Sequence, residues 1–373
     1  MKIATVVGAR PQFVKAAIVS QAIAHNPKFL ETIIHTGQHY DSKLSEIFFE
    51  ELSIPAPNYS LEIGSASHGA QTGRMIESLE NVYLTESPDL VLVYGDTNST
   101  LAAAIAAIKL EIPVAHVEAG LRSFNKEMPE EWNRILTDHS SALLFAPTQT
   151  AAEQLRKEGL PDEKIHVVGD VMYDAAIFYL ELAKSKSTIL KNLGLEKHDF
   201  AIATVHRASN TDNITILTNI ALGLLEIGKE LPVVFPMHPR TAKALARCGL
   251  CEKVKDGLTC IEPVGYLDML MLENEASLVL TDSGGVQKEA FFSQTPCITL
   301  RRETEWTELV ELGWNRLVTP EELPKLPIIA RQTLGQKGVD GYPYGYGDAC
   351  ARIAKVLAQY NGPQKLDSHL SQK

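Results

Sequence analysis

Short apolar, β-branched runs recur along the chain, separated by longer stretches with helical spacing. The runs 3–7, 32–35, 90–94, 114–117, 143–146 and 165–168 form one series of expected strands. A second series covers 200–204, 233–236, 259–261, 278–281, 297–300 and 316–318. Helical segments, such as the Ala-rich run from Leu101 to Leu110, separate most neighbours, so the strands should pair in parallel. A Lys-rich helical stretch, ELAKSKSTILKNLGLEK, divides the two series. The pattern predicts an α/β protein of two Rossmann-like, doubly wound domains facing a central cleft, residues 1–170 and 171–347. A helix from Asp348 to Tyr360, within a segment 348–373, is expected to pack back on the first domain. The tail after Gly362 is polar.

Chemistry concentrates where the expected strands end, the side on which open parallel sheets bind ligands. Asp96 follows one strand and Glu118 follows the next, with a helix between them. Two acids so placed suggest proton transfer. Asp96 has a bland alternative as the N-cap of the following helix. Glu130, Glu131 and Arg134 lie in PEEWNR, where Pro129 can open a helix; there an i,i+4 ion pair of Glu130 with Arg134 is the bland alternative. Gly8-Ala9-Arg10-Pro11-Gln12 follows the first strand. It reads as a turn into a helix whose N-terminus, with Arg10, suits an anion. Ser283, Gly284 and Gly285 open a helix in TDSGGVQKE, a second anion site, and Glu289 is placed to accept from a ribose diol. His206 and Arg207 end the first strand of the second series and suit a phosphate. His238-Pro239-Arg240 and Gly37-Gln38-His39 end further strands and are weaker candidates.

Composition narrows the field. The chain has 373 residues, enough for two full cores. A formal net charge of −11 disfavours nucleic acid or an anionic membrane as partner, so an anionic ligand must be held by local groups. No apolar run reaches a membrane helix's length, and MKIATVV runs straight into a strand, so a cytoplasmic location is expected. Five cysteines fit reduced thiols, and the lone Cys248/Cys251 pair lacks a partner pair for zinc; no metal is expected.

Together, in this order and spacing, these motifs resemble the non-hydrolysing UDP-N-acetylglucosamine 2-epimerases over essentially the whole chain. The resemblance implies a glycosyltransferase-B-like fold and inversion of C2 of a UDP-N-acetylhexosamine without a nicotinamide or other cofactor. It also implies a homodimer and a place in surface polysaccharide precursor synthesis. Carried over residue by residue, the family's catalytic groups fall on Asp96, Glu118, Glu130 and His206. Its UDP-holding groups fall on Arg10, Arg134, Ser283, Gly284, Gly285 and Glu289. The chain departs from the family at Gln12, where Glu is usual, and at Ala208-Ser209-Asn210, where Glu-Asn is usual. It departs again at Thr304-Glu305-Trp306-Thr307-Glu308, where TERPE is usual. The last change resembles the branch acting on UDP-2,3-diacetamido-2,3-dideoxy-glucuronate. A hydrolysing epimerase, a glycosyltransferase of the same architecture and a nucleotide-sugar sensor are the rival classes.

Overall fold

The computed structural model describes residues 1–38, 56–360 and 362. It divides into two units, 1–175 with 343–373, and 176–342.

The first unit carries a parallel sheet of seven described strands. They are β1 (Lys2–Val7), β2 (Leu30–His35), β3 (Tyr59–Ser60), β4 (Leu90–Tyr94), β5 (Val114–Val117), β6 (Leu143–Ala146) and β7 (Ile165–Val167). Their order is β3-β2-β1-β4-β5-β6-β7. The chain builds outward from β1, then returns to lay β4 beside it, with Ile3 opposite Leu90 and Thr5 opposite Leu92. That reversal leaves a crevice at the carboxyl ends of β1 and β4. Ala4, Val6, Val91 and Val93 share one core, while Val7, Leu92 and Tyr94 are buried on the opposite face. Burial on both faces explains why these strands read as continuous apolar runs.

The second unit repeats the plan with β8 (Ala201–Thr204), β9 (Val233–Pro236), β10 (Thr259–Ile261), β11 (Leu278–Thr281), β12 (Cys297–Thr299) and β13 (Asn315–Leu317). Their order is β10-β9-β8-β11-β12-β13, with the reversal between β8 and β11. Ala201, Ala203, Leu278 and Leu280 pack into one core, and Phe200, Ile202 and Val279 into another. The two doubly wound α/β sheets expected from the sequence are therefore present.

The borders between units fall at 175/176 and 342/343, where the pattern suggested 170/171 and 347/348. The helix Val171–Lys186 runs unbroken through the first border, so no loop composition marks it. The second is set by contacts the sequence does not display. Asp170 N–H donates to Tyr344 C=O at 2.9 Å. The Asp174 carboxylate then accepts from the Ala349 and Cys350 N–H groups at 3.2 and 2.8 Å, capping the helix Ala349–Gln359. That helix packs on Arg10–Ala24. No described helix is long and apolar enough to cross a membrane.

Candidate active site

In the first unit, Gly8 leaves β1 where no side chain fits: a Cβ there would lie 2.0 Å from Ser99 Oγ and 2.2 Å from Thr36 Oγ1. Arg10 then opens the helix Arg10–Ala24, with Pro11 in its first turn. Gln12 holds this turn together. Its Oε1 accepts from Gly8 and Ala9 N–H at 2.8 and 3.1 Å. Its Nε2 donates to Tyr94 C=O at 2.7 Å and Thr100 Oγ1 at 2.9 Å. The departure from Glu at this position thus ties the end of β1 to the end of β4. Gln12→Ala is expected to lower stability by about 1–3 kcal/mol, read from urea unfolding, because buried N–H groups lose their acceptor.

Asp96 is not an N-cap. Thr97 caps the helix Asn98–Lys109 by accepting from Thr100 N–H, and the helix begins three residues before the expected start. The Asp96 side chain, about one-third exposed, instead meets Arg134 Nη2 at 2.5 Å. Its carbonyl accepts from Asn133 Nδ2 at 2.9 Å. Arg134 turns its other nitrogen to Glu131 at 2.9 Å. Both belong to the helix Pro129–Ser140.

The two neighbouring glutamates of that helix differ. Glu131 is buried and accepts from Ser123 N–H, Ser123 Oγ and Phe124 N–H, each at 2.9 Å, as well as from Arg134. Its work is to shape the loop. Glu130 stands half-buried beside it. Burial raises the Glu131 pKa, but the bonds from Ser123, Phe124 and Arg134 outweigh it and hold it below the ordinary value. A depressed carboxylate stabilises the fold above its unfolded value, about 4.3, and that contribution is lost as pH falls through the folded value. The urea midpoints of wild type and Glu131→Gln should therefore converge on acidification below about pH 4, and a pH-independent gap would contradict this.

Glu118 leaves β5 in the left-handed region, φ 74°, which a non-glycine residue enters at a cost. That conformation turns its carboxylate to the Lys15 ammonium, on the helix after β1, in a buried pair. Sequence motifs do not mark Lys15; the signal for it is a lone lysine within the apolar helix PQFVKAAIVSQAIA. Asp96 and Glu118 thus end adjacent strands, each facing its own cation.

In the second unit, β8 and β11 are joined at their carboxyl ends. Asp282, fully buried, accepts from His206 N–H, Arg207 N–H and Asn210 Nδ2 at 3.0–3.1 Å. His206 Nδ1 lies 3.7 Å from Asp282 Oδ1 and its ring remains well exposed. The His238 ring centroid is 5.9 Å away. His238 caps the helix Pro239–Arg247 through Nδ1, which accepts from Arg240 N–H at 3.1 Å. Burial, then the nearby His206 and Arg240, lower its pKa. Arg240 itself binds Thr211 and Asp212. Gln38 accepts from Ser99 N–H and Oγ in the first unit, and His39 lies outside the described residues.

Ser283 precedes the helix Gly284–Phe292 and makes no side-chain cap. Neither Gly284 nor Gly285 adopts a positive φ, so backbone conformation does not require glycine here. A Cβ on Gly284 would find its nearest neighbours only at 3.6–3.9 Å, and one on Gly285 would meet Ser283 Oγ at 3.9 Å. Their use is the open approach to the helix N-terminus, where N–H groups lack intrahelical partners. Arg207 reaches the same place: its Nη2 lies 3.7 Å from Glu305 and would be 3.9 Å from a Gly284 Cβ. Burial raises Glu305, but Arg301, bound through both oxygens, and Arg207 hold it below the ordinary value. Trp306 Nε1 donates to Gly284 C=O at 3.0 Å, and Lys288 Nζ sits 4.1 Å over its ring. Trp306, standing where the family pattern has Arg, therefore packs on the helix Gly284–Phe292. Glu289 is buried near Tyr266, whose hydroxyl is pushed well up by burial, Glu289 and Glu273. Burial and Glu289 also push Glu273 well above the carboxylate range.

Both units thus gather polar groups at the strand reversal of a doubly wound sheet, one set rich in paired carboxylates, the other in cationic side chains beside a helix N-terminus. A family model described as UDP-N-acetylglucosamine 2-epimerase matches residues 21–358, and the chain belongs to that family of isomerases. It is 52% identical over 364 residues to a UDP-2,3-diacetamido-2,3-dideoxy-D-glucuronate 2-epimerase from Pseudomonas aeruginosa, covering 96% of this chain and 100% of that one. It is also 52% identical over 360 residues to a UDP-N-acetylglucosamine 2-epimerase homolog from Methanococcus maripaludis, covering 96% and 99%. The crystal structure of the Methanocaldococcus jannaschii UDP-GlcNAc 2-epimerase in complex with UDP-GlcNAc and UDP matches with a TM-score of 0.88 and 45% identity, covering 96% and 100%.

Proposed function

We propose that this chain inverts C2 of a UDP-2-acetamido sugar, either UDP-N-acetylglucosamine or its 3-acetamido uronate analogue, without net hydrolysis. The observation that carries this reading is the pair Asp96 and Glu118, set at the ends of adjacent strands and each opposed by a cation. Proton removal and return on opposite faces of one carbon need two separately placed groups. Glu130, half-buried, supplies a third acid.

The C2 proton has no adjacent carbonyl and is only weakly acidic. Cleavage of the C1–O bond to UDP gives C1 oxocarbenium character and acidifies C2–H. Loss of that proton yields a 2-acetamidoglycal and UDP. Re-addition of UDP at C1, with protonation of C2 from the other face, gives the epimer. Charge on the leaving diphosphate falls to His206, Arg207, Arg10 and the helix that begins after Ser283, with Glu289 on the ribose. Arg134 keeps Asp96 oriented.

The family relationship and the 52% identity to both named relatives support this substrate class. Trp306, standing where the family pattern has Arg, supports the uronate branch, since it changes the surroundings of the helix that begins after Ser283. The enzyme works in this reading as a cytoplasmic homodimer. Incubation with each of the two UDP-sugars, followed by proton NMR, should show C2 epimerisation with at least one and no accumulation of free UDP. Stoichiometric UDP release would instead make it a hydrolysing enzyme.

A further inference from the structure

We propose that His116 is a positioning residue for this reaction: its imidazole braces the turn bearing Asp96 against the turn bearing Glu118. The inference rests on the reading of those two carboxylates as acid and base.

His116 sits inside β5 with no exposed surface. An imidazole there is costly unless both nitrogens are bonded. Nε2 donates to Gly95 C=O at 2.7 Å, and Nδ1 lies 2.7 Å from Asp138 Oδ1. The other Asp138 oxygen accepts from Gly120 N–H at 3.1 Å and from Arg122 Nη1 at 2.7 Å. Gly95 immediately precedes Asp96, and Gly120 lies two residues after Glu118. One continuous set of buried bonds therefore links the two turns, with His116 as its middle member.

Gly95 is the sensitive point. It is left-handed at φ 62°, and its N–H donates to Val117 C=O at 3.0 Å. A Cβ on it would stand 3.3 Å from Glu118 Oε2 and 3.6 Å from Lys15 Nζ. The place of this one residue sets both the room for the Lys15–Glu118 pair and the direction in which Asp96 departs. Among the described contacts its carbonyl is held by His116, so the ring fixes the geometry without meeting the sugar.

Two near-isosteric variants separate the two bonds. In His116→Gln the amide nitrogen reaches the Nε2 position and keeps the Gly95 bond. In His116→Asn the amide nitrogen keeps the Asp138 bond and leaves the Gly95 carbonyl without a donor. His116→Asn should lower kcat about 30–100-fold, the scale of a misplacement of roughly 1 Å, with KM and UDP affinity within about threefold of wild type. His116→Gln should recover kcat to within about fivefold. Equal losses in the two variants, losses confined to KM and UDP affinity, or failure of both to fold would each overturn the assignment. Asp96→Asn and Glu118→Gln serve as controls. Normal turnover in them would sink the acid–base reading itself, while inactive controls without an Asn–Gln contrast at 116 would sink only the brace.

Discussion

Asp96→Asn and Glu118→Gln should each lower kcat at least ~100-fold while UDP affinity stays close to wild type; the thermal midpoint stays close to wild type in Asp96→Asn and falls in Glu118→Gln, which leaves the buried Lys15 ammonium without a counter-charge. Both substitutions preserve shape and remove the charge. Asparagine at 96 still reaches Arg134, so the loop keeps its support. Glutamine at 118 still accepts from Lys15, so the strained turn after β5 keeps its partner. What disappears is the basic oxygen that takes the C2 proton, or the acid that returns one, and a positioned acid or base contributes about 10²–10⁴-fold. UDP affinity is spared because neither carboxylate is among its proposed ligands. The readout is steady-state kcat beside UDP titration; a near-normal kcat in either variant would remove that residue from the mechanism.

Asp138→Ala should cost about 3–5 kcal/mol of stability, enough to lower the urea midpoint markedly. Asp138 has no exposed surface and serves three donors at once: His116, Gly120 N–H and Arg122. Arg122 would keep only its bidentate contact with the largely buried Glu158, at 2.7–2.8 Å, and the bond to Leu121 C=O. The histidine and the glycine N–H would be left buried without an acceptor, and unmade buried bonds cost more than made ones gain. Asp138→Asn keeps an acceptor and should fall between wild type and Ala. A loss below about 1 kcal/mol in Asp138→Ala would show that the network relaxes or takes in water.

The fold was legible because strands buried on both faces leave unbroken apolar runs, as in LVLVY and LVLT, and because such runs alternate with helical spacing. β3 was not, since two residues, Tyr59 and Ser60, carry no periodicity. The helix Asn98–Lys109 starts earlier than its apolar pattern because Asn98, Ser99 and Thr100 look like loop residues; their hydroxyls and amide are used by partners distant in sequence, such as Gln38 and Gln71. At the site, the carboxylates could be found from their places after strands. The residues that hold them could not. Lys15 meets Glu118 across 103 positions, and His116 resembles any strand residue until Gly95 and Asp138 are folded against it. Asp282 stood in view within TDSGG, but its strap on His206 and Arg207 spans β8 and β11. The contrast between Glu130 and Glu131 also needs the loop around Ser123, which only the folded chain supplies.

The central claim is that the C2 proton is lost and regained during inversion. Running the epimerisation to equilibrium in D2O and reading C2 by proton NMR tests it most directly. The account predicts deuterium at C2 of the inverted product, with UDP remaining attached at equilibrium. Full retention of protium at C2 in the product would contradict it.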